Sequence, residues 1–106
     1  MAEYQVTSGT VSTNGDNVIY VPPTGKQPQI FYFAFSAAGT NLAPVTVSMR
    51  FASGTPLYTV SLVPGAIYSR NIGAGKFCVH GSPDDTVILN LSSNSTVNWN
   101  LEYWNL

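Results

Sequence analysis

The segment Asp85-Thr86-Val87-Ile88-Leu89-Asn90-Leu91-Ser92-Ser93-Asn94-Ser95-Thr96-Val97-Asn98-Trp99-Asn100-Leu101-Glu102-Tyr103-Trp104 decides the fold class. In its first part Val87, Leu89 and Leu91 fall on one side, and Ile88 and Asn90 on the other. After the polar turn at 92–95, Val97, Trp99, Leu101 and Tyr103 alternate without error against Asn98, Asn100 and Glu102. A period of two predicts strands with one face on a core and one toward water. Wound as a helix, the same residues would scatter round the cylinder. The two strands are expected to form a hairpin, with the rest of the chain supplying the opposing layer.

The rest of the chain has the same texture. Tyr4 and Val6 share a face of a first strand, Gly9 interrupts it, and Val11 continues it beyond a bulge. Asn14-Gly15-Asp16-Asn17 supplies a turn that tolerates positive φ. A short apolar run at 18–21 ends at Pro22-Pro23-Thr24-Gly25, where proline forbids further ladder bonding. Val45, Val47, Met49 and Phe51 alternate with polar or small residues, and Tyr58, Val60 and Leu62 share one face after a turn at 53–56. Pro64-Gly65 suits the two central positions of a tight turn. Strands at 66–72 and 76–80 follow, separated by Gly73-Ala74-Gly75. Eight or nine short strands, turn signals about every ten residues and no helical stretch predict an all-β fold. The expected form is a single antiparallel β-sandwich of jelly-roll type spanning 1–106. An immunoglobulin-like sandwich is the alternative, weakened by the missing cysteine pair.

Residues 29–37 carry a further expectation. Ile30, Tyr32 and Ala34 occupy one face and Phe31, Phe33 and Phe35 the other. A strand apolar on both faces is covered on both, yet one sandwich has one interior. Either the loop at 22–28 or a neighbouring subunit then lies over the second row. Phe31, Phe33 and Phe35 are therefore candidate interface residues. Tyr20 and Trp104, out of phase with their apolar neighbours, join them as interface anchors or sugar-stacking platforms. Arg50 and Arg70, on the polar phase of their strands, are candidates on the same grounds.

Composition narrows the function classes. Charged residues are 8% of the chain, against about 25% in ordinary domains, so hydroxyls and amides cover the surface and little repulsion separates copies. The formal net charge is −1, and Lys26, Arg50, Arg70 and Lys76 are too scattered to track a phosphate backbone. Nucleic acid is not an expected partner. No apolar run approaches a membrane span, and no basic apolar leader opens the chain, so neither membrane nor secretion is expected. A single cysteine, Cys78, staples nothing and fits a reducing compartment.

The residues able to carry chemistry read as structural. Cys78 and His80 share a strand face, but side chains two apart on a strand lie about 6–7 Å apart, beyond the reach of a nucleophile–base pair. One Cys and one His give no recurring metal-ligand spacing. Asp84-Asp85 at a strand entrance suits a turn better than an acid–base or calcium pair. Gly73-Ala74-Gly75-Lys76 lacks the earlier glycine and the following Ser or Thr of a phosphate loop. Asn90-Leu91-Ser92 and Asn94-Ser95-Thr96 match the glycosylation acceptor pattern, which is common by chance in so Asn- and Ser-rich a chain. No catalytic residue, cofactor or metal is expected.

The start Met1-Ala2-Glu3, the charge-poor Ser/Thr/Asn-rich strands, the segment Val63-Pro64-Gly65-Ala66-Ile67-Tyr68 and the ending Asn98-Trp99-Asn100-Leu101-Glu102-Tyr103 together resemble the small all-β virion proteins of tailed bacteriophages, capsid decoration or cement proteins in particular. That resemblance implies a non-enzymatic structural protein, made in the host cytoplasm, that binds the outer capsid lattice and reinforces it. Its implied partners are the major capsid protein and itself, as a homotrimer. The alternative is a carbohydrate- or receptor-binding β-sandwich module, such as that of a tail or fibre tip.

Overall fold

The computed structural model describes residues 4–54, 57–72 and 79–106. In chain order the strands are β1 (Tyr4–Val11), β2 (Gly15–Tyr20), β3 (Pro28–Ala37), β4 (Val45–Phe51), β5 (Tyr58–Leu62), β6 (Ile67–Asn71), β7 (Val79–His80), β8 (Val87–Leu91) and β9 (Val97–Asn105). One sheet has the order β1-β9-β3-β6, with the short β7 beside β6 on the same margin of β3; the other has the order β2-β8-β4-β5. Every pairing is antiparallel. This interleaving of early and late strands between two sheets is the jelly roll, two Greek keys folded face to face. Turn chemistry supports it locally. Gly65 at φ 86 follows Pro64, and Ala66 N–H donates to the Val63 carbonyl at 2.9 Å, closing the turn from β5 to β6.

The two strands that decide the fold class do not form a hairpin. β8 lies between β2 and β4, whereas β9 lies between β1 and β3. The turn between them carries the chain from one sheet to the other, so the two apolar rows face each other across the core. Alternation reports which face is buried, and an apolar row is buried equally well beside its partner or opposite it. The core rows themselves stand as expected: Val87, Leu89, Leu91, Val97, Trp99, Leu101 and Tyr103 are all buried. The crossing is pinned by Asn41, whose side chain accepts from Thr96 N–H and donates to the Thr96 carbonyl, both at 2.9 Å.

β3 is not apolar on both faces. Its register on β9 runs Ile30 opposite Tyr103, then Tyr32 opposite Glu102, which leaves Phe31 as the extra residue of a β-bulge. One added residue reverses the phase. Ile30, Phe33 and Phe35 consequently share the inner face, each 0% exposed, while Tyr32, Ala34 and Ser36 line the outer one. The second apolar row that called for a cover does not exist.

β1 also departs from expectation. Gly9 does not interrupt it: the register on β9 is continuous from Tyr4 opposite Trp104 to Val11 opposite Val97. Gly9 faces Trp99, and a Cβ there would lie 2.8 Å from indole Cζ2. The missing side chain is what lets the indole lie over β1. The inner phase of β1 is therefore Gln5, Thr7, Gly9 and Val11, and Val6 points out to solvent, 54% exposed.

Trp99→Ala should cost about 3–5 kcal/mol in denaturant unfolding, the range for deleting a buried aromatic, and Asn98→Ala far less. Gly9→Ala should cost roughly 1–3 kcal/mol through overpacking. Gly39→Ala, with open space around the new methyl, should stay within about 0.5 kcal/mol of wild type.

Candidate functional site

The two adjacent carboxylates are structural. Asp84, at φ 66, accepts from Gly25 N–H at 2.6 Å and so holds the loop between β2 and β3. Asp85 is buried and accepts from Ser53 Oγ at 2.6 Å and from Ser53 and Ser82 N–H at 3.1 Å each. Burial pushes its pKa up, but these three hydrogen bonds outweigh it and hold the carboxyl below the usual range. Asp85 thus ties the turn after β4 to the approach to β8. Cys78 and the Gly73-Ala74-Gly75-Lys76 segment lie outside the described residues, and His80 is described only by its backbone pairing with Gln29. Among the described residues no three His, Cys, Asp or Glu side chains gather as a metal site would need.

The candidate interface residues separate. Phe33 and Phe35 belong to the core, with ring centroids 4.9 Å apart, and are not available to a partner. Phe31, in the bulge, instead packs on Trp104 at 5.5 Å, and both rings are half-buried. Arg50 is on the outer face as expected, ion-paired to Asp16 at 2.6 Å. Asn90 Nδ2 donates to the other Asp16 oxygen at 2.9 Å, and Asn90, then Arg50, hold the Asp16 carboxyl below its ordinary pKa. Arg70 is not on the polar phase of β6. It stands opposite Phe33, on the inner phase, and its guanidinium lies 5.1 Å from the centroid of the Tyr58 ring, closing the open side between β5 and β6. Tyr20 is turned inward by a register shift between Val18 and Tyr20 and packs on Tyr103 at 4.3 Å.

Two surface features remain. The first is the free margin of β1: eight residues without a charge, a proline or a bulge, paired on one side only among the described residues. The other long margin, β2, has six residues, a register shift and Asp16. The second is a cleft of ~470 Å³ lined by Gln5, Tyr20, Val21, Pro23, Lys26, Tyr103 and Asn105. Tyr20 hydroxyl donates to Asn105 Oδ1 at 2.8 Å, and the Tyr103 hydroxyl is hydrogen-bonded to Thr7 Oγ1 at 2.8 Å. Burial pushes the Tyr20 pKa up to about 12, so its proton stays in place. Of this lining, only Tyr20 stands out in the sequence. On the outer face of the β1-β9-β3-β6 sheet, Asn100 Oδ1 is buried without a hydrogen-bond partner, beside a shallow hollow bordered by Ser8, Ala34, Ser36 and Ile67.

No protein-family model matches the chain, and no curated protein matches it. Among solved structures, it is similar to a chain from Bacillus endospore appendages, described as a novel family of disulfide-linked pili. The likeness has a TM-score of 0.56 at 13% identity and covers 98% of this chain and 86% of that one. At that identity it concerns the fold.

The Asp85 pKa fixes the sign of a pH effect. A carboxyl whose folded pKa lies below the unfolded value of about 3.9 stabilises the fold above that value and loses its contribution as pH falls through the folded one. Denaturant midpoints should therefore drop progressively below about pH 4. Asp16 acts in the same direction but weakly, because it is half in water. Asp85→Asn should lower stability at pH 7 by about 1–3 kcal/mol and flatten the acid limb.

Proposed function

We propose that this protein is a non-enzymatic structural subunit that works by packing against copies of itself and against an ordered protein surface. The observation that carries this is the β1 margin. Exposed sheet edges pair readily with other strands, and folded proteins blunt them with charge, proline, bulges or short length. β1 has none of these over eight residues, and a net charge of −1 opposes approach only weakly. The unpartnered Asn100 Oδ1 on the outer face of the same sheet suits a donor from a packed neighbour.

Capsid decoration is the setting that the sequence resemblance favours, with the major capsid protein as the surface and a trimer as the assembly. β1 against another β1 gives a closed two-fold dimer, whereas β1 against a different edge repeats head to tail, closing a ring such as a trimer where the rotation closes and running on as a filament where it does not. Because Phe33 and Phe35 are buried in the core, the contact between copies is assigned to this edge and not to the β3 aromatics. The appendage chain of similar fold belongs to proteins that form pili, which supports an assembly role without specifying the assembly.

Sedimentation velocity from low to high micromolar concentration tests this. The wild type should associate. Val6→Lys combined with Ser8→Lys, both exposed on β1, should stay monomeric while its unfolding free energy shifts by no more than about 0.5 kcal/mol per surface change. A wild type that remains monomeric throughout, or a double variant that associates as the wild type does, contradicts the proposal.

A further inference from the structure

We infer that Asn14 is a self-modifying site, at which the backbone nitrogen of Gly15 converts the side-chain amide to a carboxylate without an enzyme. This is independent of the assembly role. Asparagine amides are thermolabile, and the route runs through the following residue. The deprotonated Gly15 nitrogen attacks Asn14 Cγ, the Cγ–Nδ2 bond breaks, and Nδ2 leaves as ammonia with the proton taken from Gly15. A five-membered succinimide is left in the main chain. Water then opens it at one of the two carbonyls bonded to the Gly15 nitrogen. Opening at Cγ gives aspartate, and opening at the backbone carbonyl gives isoaspartate, whose main chain runs through Cβ.

Three observations single out this asparagine. It is the only one in the chain followed by glycine, so no Cβ shields the attacking nitrogen, and nothing lies within 4 Å of where that Cβ would stand. Asn14 is exposed, and its side chain makes no hydrogen bond among the described residues. The side chains of Asn17, Asn41, Asn90, Asn94, Asn98 and Asn105 are each engaged in one. Gly15 opens β2 opposite Leu91, and the last pair of a ladder frays at almost no cost, which releases its nitrogen. The product changes one end of the sandwich. The turns at 12–14, 38–44, 63–66 and 92–96 carry no charge, and the new carboxylate would be the first. Isoaspartate also lengthens the main chain between Asn14 N–H, held by Asn94 Oδ1 at 2.8 Å, and Gly15, held opposite Leu91.

Peptide mass spectrometry of the folded protein, incubated for weeks at neutral and mildly alkaline pH, tests this. The Asn14 peptide should gain the amide-to-acid mass difference, divided between aspartate and isoaspartate, ahead of every other asparagine. The rate should rise roughly tenfold per pH unit, as the deprotonated fraction of a weak acid does far below its pKa. Asn14→Gln, which would need a six-membered ring, should remove the product while the circular-dichroism spectrum stays unchanged. Asn94→Ala, which frees the Asn14 N–H, should speed conversion roughly two- to fivefold by easing local opening. Folded protein whose Asn14 stays intact while the denatured chain converts overturns the inference. So does a rate that ignores pH, or earlier conversion at another asparagine.

Discussion

The contact between the Trp99 indole and the bare backbone of Gly9 sets the position of β1, and most of the surface chemistry depends on where β1 lies. Trp99 and Gly9 are directly opposite in the β1–β9 ladder, and a methyl at Gly9 would sit 2.8 Å from the ring. Only a glycine lets the strand pass there in unbroken register. On either side of it, Thr7 meets the Tyr103 hydroxyl and Thr10 Oγ1 donates to Asn98 Oδ1 at 2.6 Å, so the register is held at Thr7, Gly9 and Thr10. A slip of one residue would carry every side chain of β1 to the opposite face. Held in this way, β1 ends its sheet as a long uncharged margin and places Gln5 at the mouth of the tyrosine cleft.

Charge in this protein is spent mainly on structure. Asp84 and Asp85 fasten two loops at one end of the sandwich, and Asp16, Arg50 and Asn90 tie three strands of the outer face together. Arg70 covers Tyr58 at the open side. With so few charges, and most of them engaged, the surface presented to other molecules consists of hydroxyls, amides and apolar edges. That surface suits close packing against an ordered neighbour, where desolvating charge would be costly.

Much of the fold was legible because alternation encodes burial directly. The rows Val97, Trp99, Leu101, Tyr103 and Val87, Leu89, Leu91 are core rows in the structure as in the sequence, and Pro64-Gly65 makes the turn its chemistry specifies. Strand partners were not legible, since a period of two is silent on whether β8 and β9 lie side by side or face to face. The bulges at Phe31 and before Tyr20 were not legible either. Each shifts phase by one residue with no glycine or proline to mark it, which is why Phe33 and Phe35 read as an outer row, and Tyr20 as a platform, when all three point inward. The cleft draws on Gln5, Lys26 and Asn105 from three distant segments, and only the jelly-roll topology brings them together. The free margin of β1 was not legible, since Gly9 reads as an interruption and the alternation is silent on which strand ends a sheet.

Hydrogen–deuterium exchange of the β1 amides as a function of protein concentration tests the assembly role most directly. In a ladder paired on one side, alternate N–H groups of β1 point away from β9 into water. In dilute solution these outward amides should exchange rapidly while the β9-bonded ones stay protected. Raising the concentration should protect the outward set on β1, leaving the outer-face loops unchanged. Outward β1 amides that exchange at one rate at every concentration, while protection grows on a different surface, would contradict assembly through this edge.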